Sequence, residues 1–353
     1  MAKTYGFGII GGGMIGKFHA EAIGQLPNAK LVAVCDQVQE FADKFGAACG
    51  CPGYSDLEEF LSLDDLDIVT IATPSGIHSE LAIAAAQHGK HAIVEKPLDV
   101  TLEKIDATIA AHDKAGTKLG GVFNYRYNPT AILFKKAADA GRFGKMTFGM
   151  AYGPWWRDQE YYDKGGWRGT WDMDGGGAIM NQGIHTVDLL QWLMGPVKSV
   201  SAKSATRAHE RIEVEDTATA AIEFENGALG SICCTTSMWP GHFRIVEVAG
   251  DQGTVAMADE KFFFWQFRDE TAEDDIIRKE FLQFPAVSVG ASNPSAGLTA
   301  EGHRKTFEGF LGALDAGQEP PISGREARKA VAIIRAIYES AQAGGKTVNV
   351  PKG

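Results

Sequence analysis

Three polar residues have types and spacings that could do chemistry. Lys96 ends the run Ala92-Ile93-Val94-Glu95-Lys96-Pro97, a short apolar strand closing in a charged pair. A lysine where a strand leaves an α/β sheet faces the crevice in which such sheets bind ligands. Pro97 has no N–H, restricts Lys96 to extended geometry, and makes theirs one of the few peptide bonds able to be cis. Asn181 and His185 stand four apart behind Gly175-Gly176-Gly177, with Asp188 further along. In a helix that spacing puts the amide and the imidazole on one face. Histidine titrates near neutrality and can exchange a proton with a substrate hydroxyl. Each feature has a plainer reading too: Glu95-Lys96 as a solvated strand end, His185 as a packed helical residue. The glycines admit a close neighbour, which favours the chemical reading of His185.

The elements that must carry Lys96 read as a nucleotide-binding half. Tyr5–Ile10 is an apolar strand followed by Gly11-Gly12-Gly13-Met14-Ile15-Gly16, which fits G-x-G-x-x-G, and then by helical periodicity with Met14, Phe18, Ala22 and Leu26 inside. Strand before and helix after is the context in which these glycines let a pyrophosphate approach a helix N-terminus. A second strand, 30–35, delivers Asp36, placed to grip a ribose 2′-hydroxyl and to repel a 2′-phosphate, so NAD is favoured over NADP. Further strands are expected at 67–72, 91–94 and 118–122, with helices at 38–45, from 55, at 77–88 and at 101–115. Strand–helix alternation of this density implies a doubly wound parallel sheet. Gly11, Gly13, Met14, Ile15, Gly16, Asp36, Thr73, Pro74, His78, Glu95, Lys96 and Asn124 are the candidate cofactor contacts. His78 sits in a first helical turn, where a solvated cap residue is the alternative.

Beyond 123 the pattern changes. A helix over 130–140 and a strand over 146–152 precede an aromatic loop, 153–171, that holds four of the seven tryptophans. Its Trp155, Arg157, Tyr162, Trp167 and Arg168 suit a polyhydroxylated ligand with apolar C–H faces; a subunit interface would enrich the same residue types. A helix follows over 178–194, with Ile179, Ile184, Val187, Leu190 and Leu193 on its buried side. From 199 to 267 six strands joined by short turns imply a large, open, mainly antiparallel sheet. The segment 288–298 reads as a loop, and helices over 302–316 and 325–343 close the chain. The expected organisation is a dinucleotide-binding domain, 1–123, and a second α/β domain, 124–353, whose last helices can return to the first.

Bulk properties narrow the class. A formal net charge of −11 over 353 residues argues against nucleic acid or an anionic membrane as partner. No apolar run approaches the ~20 residues that span a bilayer. Five cysteines at irregular spacing fit neither a disulfide framework nor a zinc site, so a reduced, cytoplasmic protein without a metal is expected.

With Gly11–Gly16, Glu95-Lys96-Pro97 and the Gly175–Asp188 stretch taken together, the chain resembles the glucose–fructose oxidoreductase / inositol dehydrogenase family over essentially its whole length. The resemblance implies an N-terminal Rossmann domain, a C-terminal domain with an open sheet, and homodimers or homotetramers formed through that sheet. It implies oxidation of a sugar or polyol hydroxyl, or the reverse, with a nicotinamide cofactor and no metal. The family lysine maps to Lys96 and its histidine to His185. The implied roles are proton acceptor for His185, stabilisation of oxygen for Lys96, and positioning of the sugar for Asn181. Arg126, Trp155, Arg157, Tyr162, Trp167 and Arg168 complete the substrate set, and Asp188 is placed to orient His185. Relatives similar to inositol dehydrogenase carry aspartate four residues before the histidine, whereas this chain carries Asn181, which holds no charge. NAD-dependent glycosidases share the fold and give no net redox change, which is the alternative activity; a non-catalytic dinucleotide or sugar sensor would not need both Lys96 and His185.

Overall fold

The structure is a computed structural model that describes residues 3–164, 166–284 and 299–353. The chain divides into two compact units, Met1–Asn124 with Thr299–Arg328, and Tyr125–Leu298 with Lys329–Gly353. The expected loop at 288–298 lies outside the described residues.

In the first unit the chain runs β1 (Tyr5–Ile10), α1 (Met14–Gly24), β2 (Ala29–Cys35), α2 (Gln39–Cys49), β3 (Gly53–Tyr54) and α3 (Leu57–Leu61). It continues through β4 (Ile68–Ile71), α4 (His78–Gln87), β5 (His91–Val94), α5 (Leu102–Ala115) and β6 (Leu119–Gly121). The strands pair in parallel in the order β3-β2-β1-β4-β5-β6, a doubly wound sheet whose direction of winding reverses between β1 and β4. That reversal opens a crevice at the carboxyl ends of β1 and β4. The α1 helix buries Gly16, His19, Ala22 and Ile23, while Met14 is 45% exposed. The expected inward face therefore turns, because Gly16 must lie against the strand: a Cβ there would stand 2.1 Å from the Gly11 carbonyl oxygen.

The chain goes on with α6 (Pro129–Asp139), β7 (Met146–Pro154), α7 (Gln159–Asp163), a π-helical turn (Ala178–Gln182) and α8 (Ile184–Met194). Six strands follow: β8 (Val197–Ala205), β9 (Thr217–Phe224), β10 (Leu229–Thr235), β11 (Ile245–Gly250), β12 (Gly253–Ala258) and β13 (Lys261–Phe267). Then come α9 (Ala272–Phe281), α10 (Glu301–Asp315), α11 (Gly324–Gln342) and β14 (Val348–Asn349). The eight-stranded sheet of the second unit is ordered β13-β12-β11-β7-β10-β9-β8-β14. Its pairs are antiparallel except β7 with β10, which run parallel. A parallel pair needs a crossover, and residues 155–228 supply it. The α8 helix covers one face at β7 and β11; Gly149 leaves room there for Leu190 and Met194.

The α10 helix returns to the first unit, where Phe307, Phe310 and Leu311 join Phe7, Ile9 and Ile93 in one buried core. Burying a phenylalanine side chain of this kind contributes about 2 kcal/mol, so this helix belongs to the folding unit of the parallel sheet. Among the described residues no helix is long and apolar enough to cross a membrane.

Candidate active site

The glycine loop of the first unit has the form a dinucleotide needs. Gly11 takes φ +103°, and a Cβ on it would meet the Ala72 carbonyl oxygen at 2.7 Å. Gly13 is the N-cap of α1 and has no side-chain cap; a Cβ built on it would meet nothing within 4 Å. A helix start with no side-chain cap and no acidic residue in its first turn fits a pyrophosphate. The Asp36 carboxylate is fixed beside them by the Gly12 and Val38 N–H groups at 3.1 and 3.2 Å. Asn124 Oδ1 is buried without a protein hydrogen-bond partner among the described residues, an acceptor suited to a bound group. These residues fit NAD.

Lys96 is half-buried and joined to Pro97 by a cis peptide bond. The side chains flanking it hold the loops rather than reach outward. The Glu95 carboxylate accepts from His19 Nε2 and His303 Nε2, each at 3.1 Å, and from the Lys96 N–H at 3.1 Å. Burial alone would raise the Glu95 pKa, but the two imidazole donors outweigh it and hold the group well below the carboxylate range. Thr70 Oγ1 lies 2.7 Å from His19 Nδ1, which leaves the His19 Nε2–H free to donate to Glu95. The ligand-type atoms of His19, Glu95 and His303 lie within 4.8 Å of one another. Each imidazole meets the carboxylate through a hydrogen bond, and the two rings pack tilted with centroids 5.0 Å apart. His78 is likewise buried, its ring nitrogens 2.8 Å from the Pro97 carbonyl oxygen and 2.9 Å from that of Thr73. It ties the Thr73-Pro74 loop to the loop that carries Lys96. Burial lowers its pKa against the pull of those carbonyls.

In the second unit the expected helix over 178–194 starts with a π turn, in which the Gly183 N–H reaches the Ala178 carbonyl at 2.8 Å. Asn181 therefore sits in a widened turn and His185 in the first turn of α8, so the simple four-residue spacing does not carry between them. Such turns recur at functional sites. The Asn181 side-chain N–H₂ donates to the Asp174 carboxylate, and its Oδ1 accepts from Gln182 Nε2 at 2.7 Å. Gln182 also donates to the Tyr161 hydroxyl at 2.9 Å and accepts from Arg157 Nη2 at 2.7 Å. The His185 ring packs 4.3 Å from that of Tyr125, over which the Arg244 guanidinium lies at 3.6 Å.

The aromatic loop sorts its own residues. Arg157 is 3% exposed, with its guanidinium near the Trp155 and Tyr161 rings at 5.2 and 5.6 Å; burial lowers its pKa. Arg168 covers Tyr161 and Trp167 at 4.7 and 5.0 Å. Tyr162 is 5% exposed, bonded to Thr236 Oγ1 at 2.8 Å and packed edge-on against His209, so it is a member of the core. Arg126, expected among the substrate contacts, is buried too and forks onto the Asp188 carboxylate at 2.7 and 2.5 Å. Asp174, Gln182, Tyr125 and Arg244 escaped the sequence reading. Only Asp174, immediately before the glycine triplet, carried a positional signal.

The chain matches the description "Oxidoreductase family, NAD-binding Rossmann fold" over residues 5–122 and "GFO/IDH/MocA C-terminal domain" over residues 133–256. It is 36% identical to the WlbA dehydrogenase from Bordetella pertussis solved with NADH and UDP-GlcNAcA, covering 99% of this chain and 100% of that one with a TM-score of 0.88. It is 28% identical to D-apiose dehydrogenase of Paraburkholderia graminis, over 99% of this chain and 90% of the relative. It is 30% identical to scyllo-inositol 2-dehydrogenase (NAD(+)) of Bacillus subtilis, over 70% of this chain and 72% of the relative. The chain is an NAD-binding oxidoreductase of the GFO/IDH/MocA family.

Proposed function

We propose that this oxidoreductase moves a hydride between nicotinamide and a carbinol carbon of a sugar or polyol. The observation that carries this reading is the network Asp174–Asn181–Gln182–Arg157 with Tyr161, placed one turn from His185. It is a fixed row of donors and acceptors edged by aromatic rings, suited to a ligand rich in hydroxyls. NAD, when bound, supplies the hydride acceptor. Oxidising a carbinol also requires its hydroxyl proton to leave; His185 accepts that proton. The Lys96 ammonium stabilises the oxygen as charge develops, and Asn181 holds the sugar. The same residues serve the reduction in reverse. The 36% identity to a relative solved with UDP-GlcNAcA puts that nucleotide-linked sugar first among substrates to try.

The test is NADH absorbance with NAD or NADP across UDP-GlcNAcA, free sugars, polyols, sugar acids and aryl glycosides. A substrate-dependent rise with NAD is the expected result and begins to name the sugar. Release of a phenol from an aryl glycoside without NADH would replace the reading with hydrolysis through a concealed redox cycle. Inertness of the whole panel would favour a sensor.

A further inference from the structure

We propose that Glu215 is a positioning residue for Asn181 and His185: together with Tyr338 it forms a buried acceptor that fixes the amino-terminal turn of the helix bearing them. The proposal rests on the catalytic reading of those two residues. One Glu215 carboxylate oxygen accepts from the Gly177 N–H at 3.0 Å, and the other from the Ile179 N–H at 2.9 Å. Its backbone carbonyl takes the Ala178 N–H at 3.0 Å. Three successive orphan donors of a helix start thus end on one residue, and a carboxylate at that positive helix end is also favoured electrostatically. The Tyr338 hydroxyl, from α11, donates to the same carboxylate at 3.1 Å.

The glycine triplet is the mould of this arrangement. A Cβ on Gly177 would lie 1.8 Å from the Glu215 carbonyl oxygen, and one on Gly176 would lie 2.0 Å from the Tyr338 hydroxyl. Gly176 further adopts φ +154°. The glycines before His185 thus serve an internal lock.

The lock is sensitive to protons. Tyr338 faces Glu215 from α11, Cys234 from β10 and Tyr162 from α7, and Asp174, from the segment before the glycines, acts on Tyr338; none supplies a positive charge. Burial pushes the Glu215 carboxyl up to about 7, against the pull of the N–H groups of Ile179 and Gly177. Protonation relieves the cost of a buried charge, which favours the folded chain, but it turns one acceptor oxygen into a hydroxyl that takes its N–H less well and loosens the turn below Asn181.

The test compares Glu215→Gln, Glu215→Ala and Tyr338→Phe with the unaltered protein. Turnover is followed on the sugar that reacts fastest in the panel, with NADH affinity by fluorescence and the His185 imidazole signals by NMR, assigned by their loss in His185→Ala. Glu215→Ala should lower kcat about 100-fold, the scale of a roughly 1 Å misplacement of a catalytic group. Glu215→Gln, which keeps one acceptor oxygen, should lose about 10-fold and lose the acid-side titration that Glu215 imposes. NADH affinity should hold and the His185 signals should shift. Wild-type kcat, KM and His185 signals in Glu215→Gln and Tyr338→Phe would overturn the proposal, even if Glu215→Ala fails to fold. Full turnover in His185→Ala would instead remove the catalytic reading, and the NMR signals would still decide whether Glu215 fixes the turn.

Discussion

The resemblance to inositol dehydrogenase implies a carboxylate where this chain has Asn181, and the Asp174 carboxylate stands one side chain away from it. The amide donates to Asp174 while its oxygen accepts from Gln182, so Asn181 is oriented from both ends. Asp174→Asn keeps the size and removes the charge; kcat should fall about 10-fold with NADH affinity unchanged. Asn181→Asp sets two carboxylates against each other, which raises one pKa and weakens the site. The double exchange, Asn181→Asp with Asp174→Asn, moves the charge to the family position and should recover most of the lost kcat. Steady-state kinetics of the three variants decide the matter, and a double variant no better than the worse single one would refute the compensation. Lys96→Ala belongs to the same scale. It should cost about 100- to 1000-fold in kcat while leaving the fold and NADH affinity largely intact; near-normal turnover would remove Lys96 from the mechanism.

At the scale of elements, the two chemistry-bearing segments are aimed by glycines, for different reasons. Gly16→Ala drives a Cβ to 2.1 Å from the Gly11 carbonyl oxygen, so the strand–helix junction must open and NADH affinity should drop by about 10-fold or more. Equilibrium titration with NADH reads this directly. The start of α8 makes a different prediction, on stability. The Glu215 carboxyl is raised from its ordinary 4.5 to about 7, so the folded state holds this proton more tightly than the unfolded chain does. Its stabilising contribution is full below 4.5 and is lost as pH rises through 7. Relative to Glu215→Gln, which has no proton to lose, the wild type should give up as much as about 3 kcal/mol between pH 4.5 and 7. Melting temperatures of the pair at pH 5 and pH 8 measure it; a difference independent of pH would contradict the burial of an ionisable Glu215.

Elements with strong local signals were legible in the sequence. β1, α1, β5, α5, α6, β9, β12, α10 and α11 stand where hydrophobic period and punctuation put them. The two-residue β3 and β14 are too short to carry a period. The Thr271 capping box of α9 precedes a mostly polar stretch, and α7 lies within the aromatic loop behind its Asp158 cap. The π turn was invisible for another reason: its cause is Glu215, some 36 residues away from Ile179 along the chain. The same holds for Tyr162 and Arg126. Their types suited a ligand, but Thr236 and Asp188 claimed them.

For the whole molecule, the large sheet has one face with no covering helix among the described residues. Register puts Phe148, Met150 and Tyr152 of β7 on the same side as Leu229, Ser231 and Cys233 of β10, and as Ala249, Glu247 and Ile245 of β11. Of their opposite numbers, Gly149 lies under α8 and Ala151 is fully buried. On the open side Leu229 is 62% and Phe148 40% exposed, and the two are direct cross-strand neighbours. A broad apolar sheet face of this kind is uncommon on a monomer and suits an isologous contact, in which the same residues meet their own copies. We propose that the protein is a homodimer or homotetramer through this face, as its family resemblance implies. Sedimentation should give an integral multiple of the 37.9 kDa chain mass. Phe148→Glu with Leu229→Glu places charges on this face and should yield folded monomers, because an uncompensated buried carboxylate costs several kcal/mol in each copy. NADH affinity, built on the parallel sheet of the first unit, should persist in that monomer. A wild-type chain that sediments as a monomer at micromolar concentration, or a charged double variant that still assembles, would move the interface elsewhere and leave this face to another partner.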